Sequence, residues 1–316
     1  MKVYSFIHGI YPRSSDLVRV TRDLDRGRAK ASDYKKQLRL DFNSLIKNQK
    51  DAEFDYIETG LLNWQDIFRP IVEATDGLEA EVVTRWFDNN SFFRQPRIAK
   101  SKLKFDEKKF SKFLFQVPDK QKATLPSPYT FARSVNADGW SFDKTLGEIT
   151  DILVSVKDLL IRRGVSFIQF NEPYLVYHEA TNKDIGLFNK SLKKLNSSGA
   201  KVGVQFFFGD ASKIIKKLDL SLVDVLGIDF YKTNLKNLPK NFPIDISAGI
   251  VEGRNSLIED EKSLVRFVDD LIKRTKVENL YITNNSDLEL LPEPVAAKKI
   301  EVLGKVQAAL LKKSAA

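Results

Sequence analysis

The chain of 316 residues has no cysteine, only two histidines and a single methionine. Without cysteine there is no disulfide, no thiolate nucleophile and no metal site built on sulfur. With His8 and His178 as the only histidines, a multi-histidine metal centre is excluded as well. No run of about 18 apolar residues occurs, so no membrane-spanning helix is expected. The opening stretch MKVYSFIHGIYPR lacks the apolar core and small-residue cleavage site of a secretory signal. A cytoplasmic protein, with no membrane partner, is expected. Scarce methionine and absent cysteine beside many Lys, Arg and Glu are the composition that thermophiles favour.

What is present is a hydrophobic fraction of 42%, enough for a large core, and a charged fraction of 29%. The net charge of +9 implies attraction to something anionic. The basic residues are spread along the chain in helical patches such as Lys35-Lys36 and Lys193-Lys194. With no basic tail and no helix-turn-helix or RNP pattern, a nucleic-acid partner is not expected. A solvated surface, or an anionic small molecule, fits the charge better.

Short β-branched and aromatic runs alternate with amphipathic stretches, the signature of parallel βαβ units. The strand candidates are residues 2–9, 55–60, 122–127, 167–173, 202–208, 225–230, 246–253 and 280–285. Helices are expected over 32–49, 141–164 and 258–275, each with apolar residues at 3–4 spacing and the second stopped by Gly164. Eight strands fit a single (β/α)8 TIM barrel spanning 1–316. Two segments break the rhythm. Residues 79–105 read as two extended arms joined by DNNS, an extra β-hairpin after the second strand-helix unit. Residues 11–32 read as a long, strongly basic loop, and long loops in compact domains tend to be functional or disordered.

Barrel chemistry sits at the carboxyl ends of the strands. The polar residues there are Arg13, Glu58, Thr59, Asn171, Glu172, Asp210, Asp229, Glu252, Arg254, Asn285 and Ser286. So polar a mouth suggests a polar ligand.

Several of these strand ends resemble the cobalamin-independent methionine synthase family. GIYPR (9–13), DYIETGLLNWQDIFRPIVEATDG (55–77), TRWFDNNSFFRQP (84–96), LPSPYT (125–130), FIQFNEPYL (167–175), SAGIVEGRN (247–255) and ITNNSDLELLP (282–292) match its motifs in order over nearly the whole chain. The resemblance implies the same barrel. It also implies a catalytic zinc in the family's C-terminal barrel, where the metal holds homocysteine as a thiolate. Here the ligand positions fall on Gln205, Phe207, Asp229 and Ser286, and the homocysteine-gripping carboxylates on Asn171 and Leu61. One carboxylate does not make a zinc site. The pattern is instead similar to the family's N-terminal, non-zinc barrel. That implies a separate zinc-bearing catalytic barrel as partner and, as methyl donor, a methyl-pterin with an acidic tail. Arg13, Arg85, Trp86, Asp88, Asn89, Arg94 and Arg254 are the expected substrate-binding residues. Guanidinium groups at Arg13, Arg19, Arg22 and Arg28 in the loop, and at Arg85, Arg94 and Arg97 with Lys100 in the hairpin, suit carboxylates. Trp86, Phe92 or Phe93 would stack on a pterin ring.

Two other readings stay open. Glu172, Asp210, Asp229 and Glu252 at the mouth suit a metal-free acid/base enzyme if burial tunes them. Alternatively the chain is a non-catalytic module that binds a pterin or a methionine precursor. His8 reads as a core or rim histidine, and His178 as a surface residue within reach of the mouth.

Overall fold

In the computed structural model, the described residues are 1–117, 119–196 and 199–315, with the side chains of 314 and 315 left aside. Eight parallel strands form one sheet: β1 (Lys2–Ser5), β2 (Ile57–Glu58), β3 (Gln121–Pro126), β4 (Val165–Asn171), β5 (Lys201–Phe206), β6 (Val225–Asp229), β7 (Asp245–Val251) and β8 (Asn279–Asn284). Their order is β1-β8-β7-β6-β5-β4-β3-β2, so only the β1–β8 pairing joins strands distant in sequence. The sheet curls until its two edges approach, and Tyr56 N donates to Ser5 O at 3.4 Å across that seam. Each strand candidate overlaps one of these strands. The ladders stop one to four residues before the end of each candidate run. Residues such as His8, Glu172 and Asn285 therefore sit just past the last ladder bond, in the loops that open onto the mouth.

β3 and β6 are buried at every position, as expected for parallel strands covered on both faces. The helix Phe142–Arg162 shows why its sequence lies on that sheet. It buries Leu146, Ile149, Leu153, Val156 and Leu160 along one stripe, and Ser141 caps its start by accepting from Lys144 N at 3.3 Å. The helix Glu261–Thr275 starts three residues later than the pattern suggested. The Asp260 carboxylate accepts from Ser263 N at 2.8 Å and fixes the boundary there. Inside the curl, Phe6, Tyr56, Phe167, Val225 and Tyr281 pack as one apolar layer. No helix among the described residues is long and apolar enough to cross a membrane.

The basic stretch 11–32 is not a long loop. Residues Ser15–Asp25 form a helix and the next helix, Ala31–Asp51, begins six residues later. Ser14 supplies the start signal, its hydroxyl accepting from Leu17 N at 3.1 Å, and Leu17 and Thr21 form the buried stripe. The density of charge hid this short amphipathic pattern. Arg19 and Arg28 are exposed and paired with Asp16 at 2.7 Å and Asp23 at 2.8 Å, and Arg22 is exposed as well. Arg19 and Arg22 are helix-surface charges and Arg28 lies in the connection that follows, so the three are not one anion grip. Residues Leu78–Arg85 and Phe92–Ile98 pair antiparallel with an irregularity between Ala80 and Val83. Their connecting turn lies against the sheet's carboxyl end.

Candidate functional site

At the centre of the mouth, three of the four positions where the family resemblance would put zinc ligands are held by ordinary hydrogen bonds. Asp229 is fully buried and accepts from Asn285 Nδ2 at 3.1 Å, Tyr231 N at 2.9 Å and Phe208 N at 3.3 Å. Burial raises its carboxyl above the ordinary range, and these donors pull it back. Ser286 donates to Asn285 Oδ1 at 3.2 Å, and Gln205 accepts from Ser247 Oγ at 3.5 Å. Phe207 offers a buried ring and no donor atom. An amide, a hydroxyl and a single saturated carboxylate do not fit a zinc ion, which takes imidazole, thiolate and free carboxylate. Among the described residues, no three His, Cys, Asp or Glu side chains stand where they would hold a metal.

The acid/base candidates are similarly committed. Glu172 is buried and its carboxylate accepts from Ser127 Oγ, Thr130 Oγ1 at 2.8 Å, Thr130 N at 3.1 Å and Leu175 N at 3.0 Å. It ties the start of the short helix Pro128–Ser134 to the end of β4. Burial raises its pKa, and its four donors oppose that. Asp210 accepts from Ser212 N at 2.9 Å in a local turn. Glu252 is half-buried, and its backbone N–H donates to the Glu259 carboxylate at 2.8 Å. Asn171 is buried, bonded to Gln169. Glu58 and Thr59 are buried at the end of β2, with Thr59 N donating to Glu58 Oε1 at 3.2 Å.

The open space lies at the rim. A cleft of about 470 Å³ runs beside the loop after β1 and is lined by Tyr11, Arg13, Ser14, Gln65, Glu289 and Glu293, among others. Arg13 is half-buried there, and desolvation lowers its pKa while Glu289 and Asp41 oppose that. Arg69 is close enough to repel it. Arg94 sits against Gln65, its guanidinium 3.4 Å from Oε1. Of these three guanidinium groups Arg13 lines the cleft, Arg94 reaches it through Gln65, and Arg69 is held by Glu73 at 2.6 Å.

The other expected binding residues divide. Arg85 is exposed over the Phe92 ring at 6.0 Å, and Phe92 is 48% exposed. Trp86 and Phe93 turn inward, packing edge to face on each other at 5.5 Å and on Phe68. Asn89 is buried and shapes the turn by accepting from Ser91 N at 2.7 Å. Asp88 reaches across the mouth to Arg254 at 3.9 Å, and Arg254 covers the Phe208 ring at 5.2 Å. Phe87, between them, touches Phe208 at 5.6 Å and Tyr177 at 4.9 Å. Arg97 and Lys100 are taken by Glu79, Glu81 and Asp76. His178 is exposed against Tyr174 at 4.3 Å.

Sequence reasoning missed the residues beneath the turn. Ser91 Oγ donates to Glu289, which stands beside Asp287 and Asp66, and Ile10 N donates to Asp287 at 2.9 Å. Burial is the main reason that Asp287 is pushed up to about 6 and Glu289 to about 8. The ITNNSDLELLP motif (282–292) covered Asp287 and Glu289, but neither carboxylate was singled out within it. Gly9 is part of this arrangement. It has φ +79°, and a Cβ there would fall on the Asp287 carboxylate. Gly9→Ala is expected to cost at least about 1 kcal/mol from backbone conformation alone, and more from displacing Asp287. A chemical-denaturation midpoint equal to that of the parent would show that the loop is looser than this packing.

Residues 66–276 match the family model for the N-terminal domain of cobalamin-independent synthase. The 5-methyltetrahydropteroyltriglutamate–homocysteine methyltransferase of Herpetosiphon aurantiacus is 27% identical over 239 residues, covering 72% of this chain and 31% of that protein. The methionine synthase of Sulfolobus acidocaldarius is 23% identical over 309 residues, covering 92% of this chain and 87% of that one. A solved B12-independent methionine synthase from Shewanella, in complex with selenomethionine, superposes with a TM-score of 0.75 at 15% identity, over 91% of this chain and 92% of that one. The chain spans 31% to 41% of the length of the long methyltransferases from Herpetosiphon aurantiacus and Bacillus subtilis.

Proposed function

Because the chain belongs to the cobalamin-independent methionine synthase family, through that family's N-terminal domain, we propose that it serves methionine synthesis as a metal-free (β/α)8 barrel. In this reading one domain, with its added hairpin, binds the methyl donor at the rim. A separate zinc-bearing barrel carries homocysteine and the transfer itself. The donor is a 5-methyltetrahydropteroyl compound with an acidic polyglutamate tail, and the setting is cytoplasmic.

The observation that carries the reading is the rim cleft with Arg13 half-buried inside it and Arg94 bonded to Gln65 on its wall. Guanidinium groups pair with carboxylates bidentately, so Arg13 in this concavity, with Arg94 beside it on Gln65, suits a glutamate tail. The exposed Phe92 face, beside Arg85, is the aromatic surface open to a ring. The central carboxylates favour this over acid/base catalysis by the chain alone, because Glu172 and Asp229 already accept four and three hydrogen bonds.

Calorimetry with methyltetrahydropteroyl monoglutamate and triglutamate tests the donor. Tighter binding of the triglutamate is expected. Arg13→Ala should weaken it by roughly tenfold, the worth of one charge-assisted bond. A methyl-transfer assay then mixes the chain with a zinc-bearing single-barrel homologue, and the rate should rise only in the mixture. Absence of both donor binding and rate gain sinks the proposal. Donor binding without rate gain leaves a sensing module in its place.

A further inference from the structure

The amino-terminal end of the barrel carries positive charge that the rim reading does not use. Two segments meet there. Residues 240–242 lead into the start of β7, and the last turn of the helix Glu261–Thr275 leads into β8. Asn241 N donates to Arg274 O at 3.2 Å and Phe242 N to Thr275 O at 2.6 Å, so the segments are fixed to each other. Between them lies a concavity of about 430 Å³ lined by Lys240, Asn241, Asp270, Lys273, Arg274 and Lys276. That volume suits a small molecule, and the place is the end opposite the rim cleft.

Three lysines and an arginine share this lining with one carboxylate. Asp270 is 3.8 Å from Lys273, and among the described residues no carboxylate pairs with Lys240 or Lys276. Arg274 is half-buried and donates to the carbonyls of Lys236 at 2.6 Å and Leu238 at 2.6 and 3.0 Å. Those partners are neutral and leave its charge uncancelled. The helix dipole accounts for Lys273 and Arg274, which stand in the last turn. It does not account for Lys240, which arrives from a separate segment, nor for Lys276. That residue closes the helix at φ +52°, beside Asn241 at φ +56°. Glycine is usual at such a helix end, because a side chain disfavours the left-handed region. A lysine there adds backbone strain and a further like charge. A bound anion relieves the repulsion among those charges.

We propose that this concavity binds a small phosphorylated anion through the ammonium groups of Lys240, Lys273 and Lys276. Ammonium groups are point charges that suit phosphate oxygens, whereas a planar carboxylate favours a free guanidinium fork. Arg274 has its Nε and Nη2 engaged on carbonyls, so it supplies charge and a fixed wall and not a clamp. The lining is confined to six residues of two segments. That is the span of one or two phosphate groups, and less than a nucleic-acid backbone covers.

Inorganic pyrophosphate is the probe, added to the intact chain at about 0.15 M salt so that diffuse surface attraction is screened. Calorimetry should show saturable binding, and the backbone amide signals of Asn241 and Lys276 should shift in NMR spectra. The double variant Lys240→Gln/Lys276→Gly should weaken binding by roughly tenfold. Arg13→Ala, which alters the rim cleft, should leave it unchanged. The single variant Lys276→Gly separates a ligand role from helix capping. It relieves the left-handed strain, so without pyrophosphate it should melt no lower than the parent. The rise in melting temperature that pyrophosphate gives should shrink in it. An undiminished rise overturns the proposal. So does the lack of saturable binding, its loss in Arg13→Ala, or an equal response to sodium chloride at matched ionic strength. Binding of single-stranded RNA without binding of pyrophosphate overturns it in favour of a nucleic-acid surface. Donor binding at the rim is read separately with the pteroyl glutamates, so this inference and the proposed function fail independently.

Discussion

Replacing Lys122 by methionine is expected to destabilise the protein by about 3–5 kcal/mol, the cost of leaving a buried charge without its partner. Lys122 and Glu58 are both wholly inaccessible and 3.0 Å apart inside the curl. Burial lowers the pKa of the one and raises that of the other, and their attraction opposes both shifts. Thr124 Oγ1 donates to the same Glu58 oxygen at 2.8 Å and accepts from Gly9 N at 3.1 Å. The pair therefore joins β2, β3 and the loop after β1. Lys122→Met leaves Glu58 with one hydroxyl and one backbone donor in an apolar setting. It will either protonate or draw water in. The double variant Glu58→Gln/Lys122→Met removes both charges and should recover more than half of the loss. Urea denaturation of the parent, Lys122→Met, Glu58→Gln and the double variant yields the coupling directly. A single variant within about 0.5 kcal/mol of the parent would show the pair to be dispensable.

This pair also marks how far the sequence was legible. Eight parallel strands could be read because each is a short β-branched or aromatic run next to an amphipathic helix. That pattern is local. Glu58 was legible as a strand-end carboxylate, but Lys122 lies at the start of a strand candidate and looks like a solvated charge. Only the parallel register, which sets Glu58 beside Lys122, turns it inward. The rim was legible in part. Arg13 and Arg94 were singled out from motif resemblance. The cleft that Arg13 lines also needs Gln65 and Glu289, which are brought in by loops far apart in sequence. Trp86 and Phe93 could not be assigned from a hairpin pattern, because alternation says which side a ring is on and not whether Phe68 lies beneath it. The helix Ser15–Asp25 was missed for the opposite reason. Its signal was local but brief, a serine cap and a buried Leu17–Thr21 stripe among many arginines.

Alkaline conditions are expected to loosen the turn of the hairpin. Ser91 holds that turn to Glu289, whose pKa burial and the neighbouring Asp287 and Asp66 carboxylates push up to about 8, while Arg13 opposes the shift. A carboxyl held above its ordinary value of 4.5 keeps its proton more tightly in the folded chain than in the unfolded one. Its contribution to stability is therefore complete below pH 4.5 and is lost as pH rises through about 8. Asp287 acts in the same sense over a lower window, from 3.8 to about 6, with Glu58 and Lys122 as its other charged neighbours. Both losses are nearly complete at pH 9, and that of Glu289 dominates above pH 7. The combined effect is on the order of a few kcal/mol, so the melting temperature should fall by several degrees between pH 6 and 9. Glu289→Gln keeps a donor and acceptor beside Ser91 but cannot ionise. It should flatten the fall above pH 7, and Trp86, packed behind the turn, should then resist acrylamide quenching equally at both pH values. If parent and variant lose stability in parallel, the proton on Glu289 does not hold the turn. The same measurement bears on the rim cleft, because Glu289 lines it opposite Arg13. An ionised Glu289 competes with an anionic tail for that guanidinium, so donor affinity should weaken with alkalinity in the parent and stay level in Glu289→Gln.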